Sequence, residues 1–302
     1  MIHVQTMWGW PIAWYLFLAG VSVGTYIVAA YCQYSKRQDH LVKIGIYLTA
    51  PCLGLSIFLL WLDLGHRMRF PYAFLRPQES WISIGAWLLT LFFILAAFQW
   101  LKQFFNRDKQ QSIETQQSGW IWGLGIILAL LTAIYTGILL GVVRAIPFWN
   151  TAILPVLFLI SALSTGIGAV LLVAVGLKKS REAVQLNPAG FHFLAKVDGI
   201  LVLLEIMCLT FYFIIIAKAG AAASASTHMI ISGSLAAAFW LGVVVIGLLI
   251  PFILEFKTFK ATAAKLNVAQ TAITGICLLI GGLALRYIIL AAGIYEAGFP
   301  FI

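Results

Sequence analysis

Ionisable side chains inside long apolar runs are the first candidates for chemistry in this sequence. Tyr15, Asp63 and Tyr135 lie in or at the ends of such runs in the first half of the chain, and Asp198 and Glu205 share one run in the second half. A polar or charged group is costly in apolar surroundings, so residues of this kind commonly bind ligands or carry protons. The tyrosines and Asp63 are suited to exchanging hydrogen bonds and protons with a ligand.

Eight apolar runs must position these residues, and all eight are predicted to be transmembrane helices. The chain of 302 residues is 62% hydrophobic and 10% charged, with a mean hydropathy of +1.00, which excludes a water-soluble globular protein. Each run is long enough to cross ~30 Å of hydrocarbon at ~1.5 Å per residue. The predicted spans are residues 12–34, 43–62, 82–103, 119–141, 151–176, 194–216, 232–254 and 268–292.

Basic residues predict the orientation of these helices. Most of the 19 Lys and Arg residues lie in the first, third, fifth and seventh connections between the spans. They are Lys36, Arg37, Lys43, Lys102, Arg107, Lys109, Lys178, Lys179, Arg181, Lys196, Lys257, Lys260 and Lys265. Because Lys and Arg favour the cytoplasmic side, these connections are predicted to be cytoplasmic and both termini to face outward. The net charge of +9 is therefore interpreted as topology, and no nucleic-acid partner is expected.

Depth along the predicted helices brings the first group together near the outer surface. Tyr15 lies about one turn into the first span, Asp63 ends the second, and Tyr135 lies ~24 Å along the fourth. Four further residues fall at a similar depth, namely Trp14, His66, Arg67 and Arg144. Aromatic walls with a few polar groups suit an amphipathic ligand that enters from lipid. Interfacial aromatic anchors and snorkelling arginines are the alternative interpretation of the same residues.

A second group lies in the later helices. Asp198 and Glu205 are seven residues apart, which places both carboxyl groups near one face of the sixth span, with Glu205 ~16 Å along it. Arg286 lies ~27 Å along the eighth span. These three residues are predicted to form a proton path, and a hydrogen-bonded structural clamp between helices is the alternative.

The cysteines and histidines argue against a metal centre held by this chain. Its four cysteines are far apart and form no CxxC pair, so iron-sulfur ligation is not expected. All five histidines lie in loops or at helix ends, whereas a membrane cytochrome needs axial histidines within its helices. We therefore expect neither haem, nor a cluster, nor another metal site. The N-terminus lacks the basic region of a signal peptide, so the first span is expected to remain as a helix.

A weak internal sequence similarity, or echo, between two of the spans predicts the arrangement of the helices. The segment Pro11–Gly24 of the first span resembles Pro155–Gly168 of the fifth, as a repeated four-helix unit would produce. The fold class predicted is an all-α integral membrane protein with its eight helices in two four-helix bundles, residues 1–145 and 146–302. Chance similarity between apolar helices is the alternative explanation of the echo.

Four stretches of this sequence, taken together and in order, resemble the NrfD-like membrane subunits of the polysulfide reductase family. They are Trp10–Gly20, Tyr135–Leu140 followed by Pro147 and Ile153–Leu159, Asp198–Glu205, and Leu285–Leu290 with Gly293. The resemblance implies a haem-free integral subunit of a prokaryotic cytoplasmic membrane that exchanges electrons and protons with menaquinone or another quinone. It also implies a ferredoxin-like iron-sulfur partner, attached to a molybdopterin oxidoreductase or a multihaem cytochrome, as in anaerobic respiration.

The resemblance further implies a quinone site near the outer face, in the first four helices. Tyr135 matches a family tyrosine that contacts quinone, whereas Tyr15 stands where the polysulfide reductase has a quinone-binding histidine. The resulting hypothesis is that Tyr135, with Tyr15 or His66, hydrogen-bonds the head group, while Asp63 accepts or relays a proton. Arg67 or Arg144 would tune its charge and face the partner, and Trp14 would line the site.

Two other functions remain open at this point. One is a transporter or proton-translocating module built on Asp198 and Glu205. The other is a purely structural membrane anchor for a soluble complex.

Overall fold

The protein is a bundle of membrane-length helices. The computed structural model describes residues 3–5, 8–35, 39–64, 67–75, 80–105, 119–180, 188–260 and 267–295. Within these ranges, eight helices are long and apolar enough to cross a membrane, which confirms the predicted all-α membrane class and the number of spans. The helices are α1 (Trp10–Ser35), α2 (Asp39–Asp63), α3 (Trp81–Phe105), α4 (Gly119–Gly141), α5 (Ile153–Ser180), α6 (Pro188–Ile216), α7 (Ala221–Ile231), α8 (Ile250–Lys260) and α9 (Val268–Ala291).

The seventh span differs in position and geometry from the prediction. It combines a π-helical segment, Ala238–Leu249, with α8, and the short helix α7 precedes it. Turns after α7 occupy the next residues, where the N–H of Leu235 donates to the carbonyl of Met229. The span therefore begins and ends later than the predicted 232–254, and it carries Glu255 inside the helix.

The first and the last described residues lie at the same end of the bundle. Strand β1 (His3–Val4) pairs antiparallel with β2 (Ile294–Tyr295) directly after α9. The N–H of Gln5 extends this pairing to the carbonyl of Gly293, at 2.8 Å. An even number of crossings requires this arrangement, and we refer to this end as the terminal end.

Hydrogen bonds between helices fix their alternating directions. Ser56 near the end of α2 donates to the carbonyl of Tyr15 near the start of α1, at 3.1 Å. Tyr34 at the far end of α1 donates to the carbonyl of Gly119 at the start of α4, at 3.0 Å. The helix α4 therefore ends at the terminal end, where the indole of Trp149 in the following loop donates to the carbonyl of Ile289 in α9.

Helix α1 is the central element of the fold. In the most apolar part of α1, 89% of the residues are buried inside the protein. The same share is 28% in α3, which lies at the periphery. It contacts α2, α4, α5 and α9, while α3 contacts α2 and α4, and α6 contacts α5 and α8. The division into two four-helix domains at residue 145 stays a prediction.

Candidate functional site

Two tyrosines lie near each other inside the bundle, towards the terminal end. Tyr15 is fully buried on α1, and its hydroxyl has no hydrogen-bond partner among the described residues. Tyr135, 5% exposed on α4, lies close enough for the two hydroxyl groups to interact electrostatically. A buried hydroxyl without a partner is uncommon in a native protein, and a ligand oxygen is one group that satisfies it.

A glycine on α3 makes room for Tyr135. A Cβ atom at Gly85 would overlap the ring and the hydroxyl of Tyr135. The neighbouring hydroxyls of α4 do not compete for the tyrosines, because Thr132 and Thr136 donate to carbonyls of their own helix, at 2.7 and 2.6 Å. The two tyrosine hydroxyls thus lie between three helices and can still form further hydrogen bonds.

Trp14 lies on another face of α1 from the tyrosine pair. Its indole is 39% exposed and lines an apolar groove of about 400 Å³ between α1, α2, α5 and α9. The groove is also lined by Phe17, Leu18, Val21, Leu48, Cys52, Ala169, Leu172, Val173, Leu279, Ile280 and Leu283. Trp14 therefore lines this apolar groove and is not part of the tyrosine pair.

The remaining residues of the predicted outer site lie around the terminal end. Asp63 is half-buried at the last position of α2, and no described contact joins it to Tyr15 or Tyr135. Arg144 is exposed in the turn that follows α4. His66 and the side chain of Arg67 fall outside the described residues, although the backbone of Arg67 begins a 3-10 helix that ends at Phe74.

Arg286 is fully buried and links α9 to two other helices. Its Nη1 donates to Ser161 Oγ of α5 at 2.9 Å and to the carbonyl of Gly282 at 2.8 Å. A Cβ atom at Gly20 of α1 would lie 2.9 Å from its Nη2, so glycine provides the space that the guanidinium fills. Glu205, 6% exposed, interacts electrostatically with Arg286 and lies beside Ser161.

Glu255 is a buried carboxylate that the sequence prediction missed. It is 2% exposed on α8, next to Asp198, which is fully buried on α6 and lies beside Ser164. Within the described residues, the four carboxylate oxygens of Asp198 and Glu255 complete no hydrogen bond, and neither does Ser164 Oγ. The predicted span ended one residue before Glu255.

The described residues contain no group of three or more His, Cys, Asp or Glu side chains that could hold a metal ion. All four cysteines are free thiols, two of them buried and two half-buried. The polar chemistry of the described residues is therefore that of tyrosines, carboxyl groups and one buried arginine.

Known proteins resemble this protein over nearly its whole length. The family model described as "Polysulphide reductase, NrfD" matches residues 3–297. The chain belongs to the NrfD family. Its resemblance to that family is thereby confirmed.

Two of the relatives of this NrfD-family protein described here are named as subunits of a reductase or an oxidoreductase. The C subunit of the polysulfide reductase of Wolinella succinogenes is 29% identical over 95% of this sequence and 94% of the relative. Protein NrfD of Escherichia coli is 28% identical over 96% of both sequences. The Hdr-like menaquinol oxidoreductase integral membrane subunit of Archaeoglobus fulgidus is 26% identical over 54% of this sequence and 40% of the relative. The protein is therefore a multi-pass integral membrane protein of the kind found as the membrane subunit of oxidoreductases.

Proposed function

We propose that this protein is the quinone-interacting subunit of a membrane-bound respiratory oxidoreductase complex. One observation carries the proposal, namely the fully buried and unpartnered hydroxyl of Tyr15 beside Tyr135. Family membership supports it, as does the name of the relative from Archaeoglobus fulgidus, which is a menaquinol oxidoreductase subunit.

The two tyrosines fit the head group of menaquinone or another quinone. A quinone supplies two-electron, two-proton chemistry when it is bound. Tyr15 and Tyr135 would bind and orient one of its oxygen atoms, since each hydroxyl can donate one hydrogen bond and accept others. The surrounding helices exclude water from the two tyrosine hydroxyls, and low polarity strengthens the hydrogen bonds formed there.

Asp63 is the proposed proton carrier between this site and the membrane surface. It ends α2 at the same end of the bundle and is half-buried, so it can reach both the protein interior and water. A carboxyl group at such a boundary is suited to accepting a proton and releasing it. His66, in the segment after α2, is the proposed alternative hydrogen-bond partner of the head group.

The proposed partner is a ferredoxin-like iron-sulfur subunit that docks at the terminal end. This end would face outward from a prokaryotic cytoplasmic membrane, as the basic residues of the opposite connections predict. Arg144 is exposed there and would face the partner, together with Arg67. Electrons would pass to the partner's cluster and on to a molybdopterin subunit or a multihaem cytochrome, since this protein is proposed to hold neither haem nor cluster.

Removing the tyrosine hydroxyls tests this function. In the assembled complex, Tyr15→Phe and Tyr135→Phe should each raise the quinol concentration needed for half-maximal turnover about 10-fold, the worth of one buried hydrogen bond. Asp63→Asn should lower the maximal turnover instead, because it removes a proton acceptor. Quinol-linked electron transfer in membranes measures both effects.

Tyr26→Phe is the matched control for these variants. Tyr26 is also a fully buried tyrosine of α1, but its hydroxyl lies beside Gln99 and its ring packs against Phe92 and Trp122, away from Tyr135. Its variant should turn over quinol like the wild type. Unchanged rates in both Tyr135→Phe and Asp63→Asn would rule out this site and favour a purely structural anchor.

A further inference from the structure

A line of buried polar side chains runs through the second half of the protein, and quinone binding at Tyr15 and Tyr135 does not use it. We propose that this line, the carboxyl column, conducts protons from the end opposite the termini towards α1, with Asp198 and Glu255 as its proton-loading pair. The proposal rests on the proposed quinone function. The column consists of Glu255, Asp198, Ser164, Glu205, Ser161 and Arg286.

The column begins close to the protein surface. One helical turn beyond Glu255, the carbonyl of Thr258 lies 2.9 Å from Nε2 of the half-buried His192. The side chain of Gln270 donates to Thr258 Oγ1 at 3.0 Å. Polar groups from α6, α8 and α9 therefore meet directly outside the carboxyl pair, at the end predicted to be cytoplasmic, and provide an entry for protons.

Asp198 and Glu255 are suited to holding one proton between them. Both carboxyl groups are at least 98% buried and lie side by side, and their oxygens complete no hydrogen bond within the described residues, although Ser164 lies beside Asp198. Two adjacent carboxylates in low dielectric repel each other strongly, whereas one shared proton removes the repulsion and provides a hydrogen bond. A hydrogen-bonded structural clamp would instead have its oxygens satisfied by fixed donors. The open hydrogen-bonding capacity therefore favours proton exchange.

Ser164 continues the column towards Glu205. Its hydroxyl is 1% exposed, unpartnered and adjacent to Asp198. Glu205 lies ~10 Å further along α6 than Asp198, which is too far for direct proton transfer. A cavity of about 10 Å³ lies beside Ser164 and Glu205, and Ser161 and Thr165 also line it. That volume admits a single water molecule, and these polar neighbours are enough to bind it.

Arg286 connects the column to the helix of the tyrosine site. Its Nη1 donates to Ser161, its charge faces Glu205, and its other nitrogen lies against Gly20 of α1. Gly20 and Tyr15 are ~7.5 Å apart along that helix. A change in the protonation of Glu205 therefore acts on a guanidinium that touches α1. Between Glu255 and Glu205 each hydroxyl or water accepts one proton and passes on another, while Arg286 keeps its proton. Each proton taken up at Glu255 is balanced by one that Glu205 releases towards the terminal end, so no oxidant or reductant is needed.

Neutral variants of the loading pair test the proposal in the whole complex, reconstituted in sealed vesicles. Glu255→Gln and Asp198→Asn should lower quinol-linked turnover ~10-fold or more, together with proton uptake from the entry side, because a relay group is removed. Glu255→Asp should restore most of both. Ser226→Ala is the control, since it removes another buried unpartnered serine hydroxyl, on α7. Unchanged turnover and uptake in Glu255→Gln and Asp198→Asn would overturn the proposal.

Two further measurements separate this proposal from the quinone function. Infrared difference spectroscopy of the purified complex should show a protonated carboxyl band that both Glu255→Gln and Asp198→Asn remove, whether or not quinone is added. Titration with quinone should give wild-type affinity in both variants. Failure of the wild type to bind quinone would contradict the proposed function alone. Absence of the carboxyl band, or turnover that requires sodium, would contradict the proton pair.

Discussion

At the scale of single residues, the described site depends on glycines that face tyrosines. Gly85 of α3 supports Tyr135, and Gly125 of α4 supports Tyr26 in the same way. At either position a methyl group would overlap the tyrosine ring or its hydroxyl. Because helix backbones cannot easily move apart in a well-packed bundle, the tyrosine would be displaced. The position of Tyr135 is therefore set by a residue without a side chain.

Gly85→Ala should consequently impair quinone use without removing any functional group. Displacement of the Tyr135 hydroxyl by about 1 Å is expected to cost up to ~100-fold in quinol-linked turnover. Gly125→Ala produces the equivalent clash with Tyr26 and should lower stability while quinol kinetics stay normal. Gly123→Ala, where a Cβ atom meets nothing within 4 Å, serves as the neutral control. Equal kinetics for Gly85→Ala and Gly123→Ala would contradict a role for the Tyr135 position.

At the scale of helices, close backbone contact makes α1 the central element. Gly24 of α1 and Gly166 of α5 face each other so closely that a Cβ atom at either would overlap the opposite backbone. Small residues at helix contacts favour association in lipid, where burial of apolar surface between helices contributes little. The π-helical segment before α8 makes a similar contact, through Gly247 and Gly281. These contacts position the helices that carry both candidate sites.

Gly166→Ala should therefore destabilise the protein. A methyl group at this contact is expected to cost about 1–3 kcal/mol through overpacking. Gly176 lies on the same helix, and a Cβ atom there would meet nothing within 4 Å. The variant Gly176→Ala should therefore be neutral or slightly stabilising. Thermal unfolding of the two variants in one detergent gives the comparison. A midpoint for Gly166→Ala at or above that of Gly176→Ala would show that the contact is loose.

At the scale of the whole molecule, the paired strands and the basic residues together determine topology. The pairing of β1 with β2 puts the start of α1 and the end of α9 at one end of the bundle, and the basic residues are concentrated in the connections that join helices whose ends lie at the other. The positive-inside rule then predicts which end is cytoplasmic. This orientation decides whether the tyrosine site and Asp63 exchange protons with the outside and whether the carboxyl column opens to the cytoplasm.

Cysteine labelling in intact cells tests this orientation. The native thiols are buried or half-buried, and Cys52→Ala with Cys208→Ala removes the two half-buried ones. On that background, Lys218→Cys, exposed after α6, should react with an impermeant maleimide in intact cells. His40→Cys, exposed at the start of α2, should react only after the cells are permeabilised. The reverse pattern would invert the predicted topology.

The sequence by itself determined the membrane fold, the number of spans and the family. Apolar runs of this length are stable in lipid only as helices, so hydropathy alone predicts eight crossings. Lys and Arg in alternate connections predict the orientation because it depends on composition and not on packing. Tyr15, Asp198, Glu205 and Arg286 were recognisable because a polar group in an apolar run is conspicuous on its own.

Only the tertiary structure decided which of these groups meet. It brings Tyr135 to Tyr15 and turns Trp14 towards a separate groove, because adjacent positions on a helix point ~100° apart and the neighbours differ. It places Glu255 against Asp198, because the π-helical segment continues into α8 and so keeps Glu255 inside the seventh span. The predicted span ended before this residue. It links Arg286 to Ser161 and Glu205 across three helices. Contacts between residues far apart in the sequence depend on helix rotation and register, and these follow from side-chain packing that no local pattern encodes.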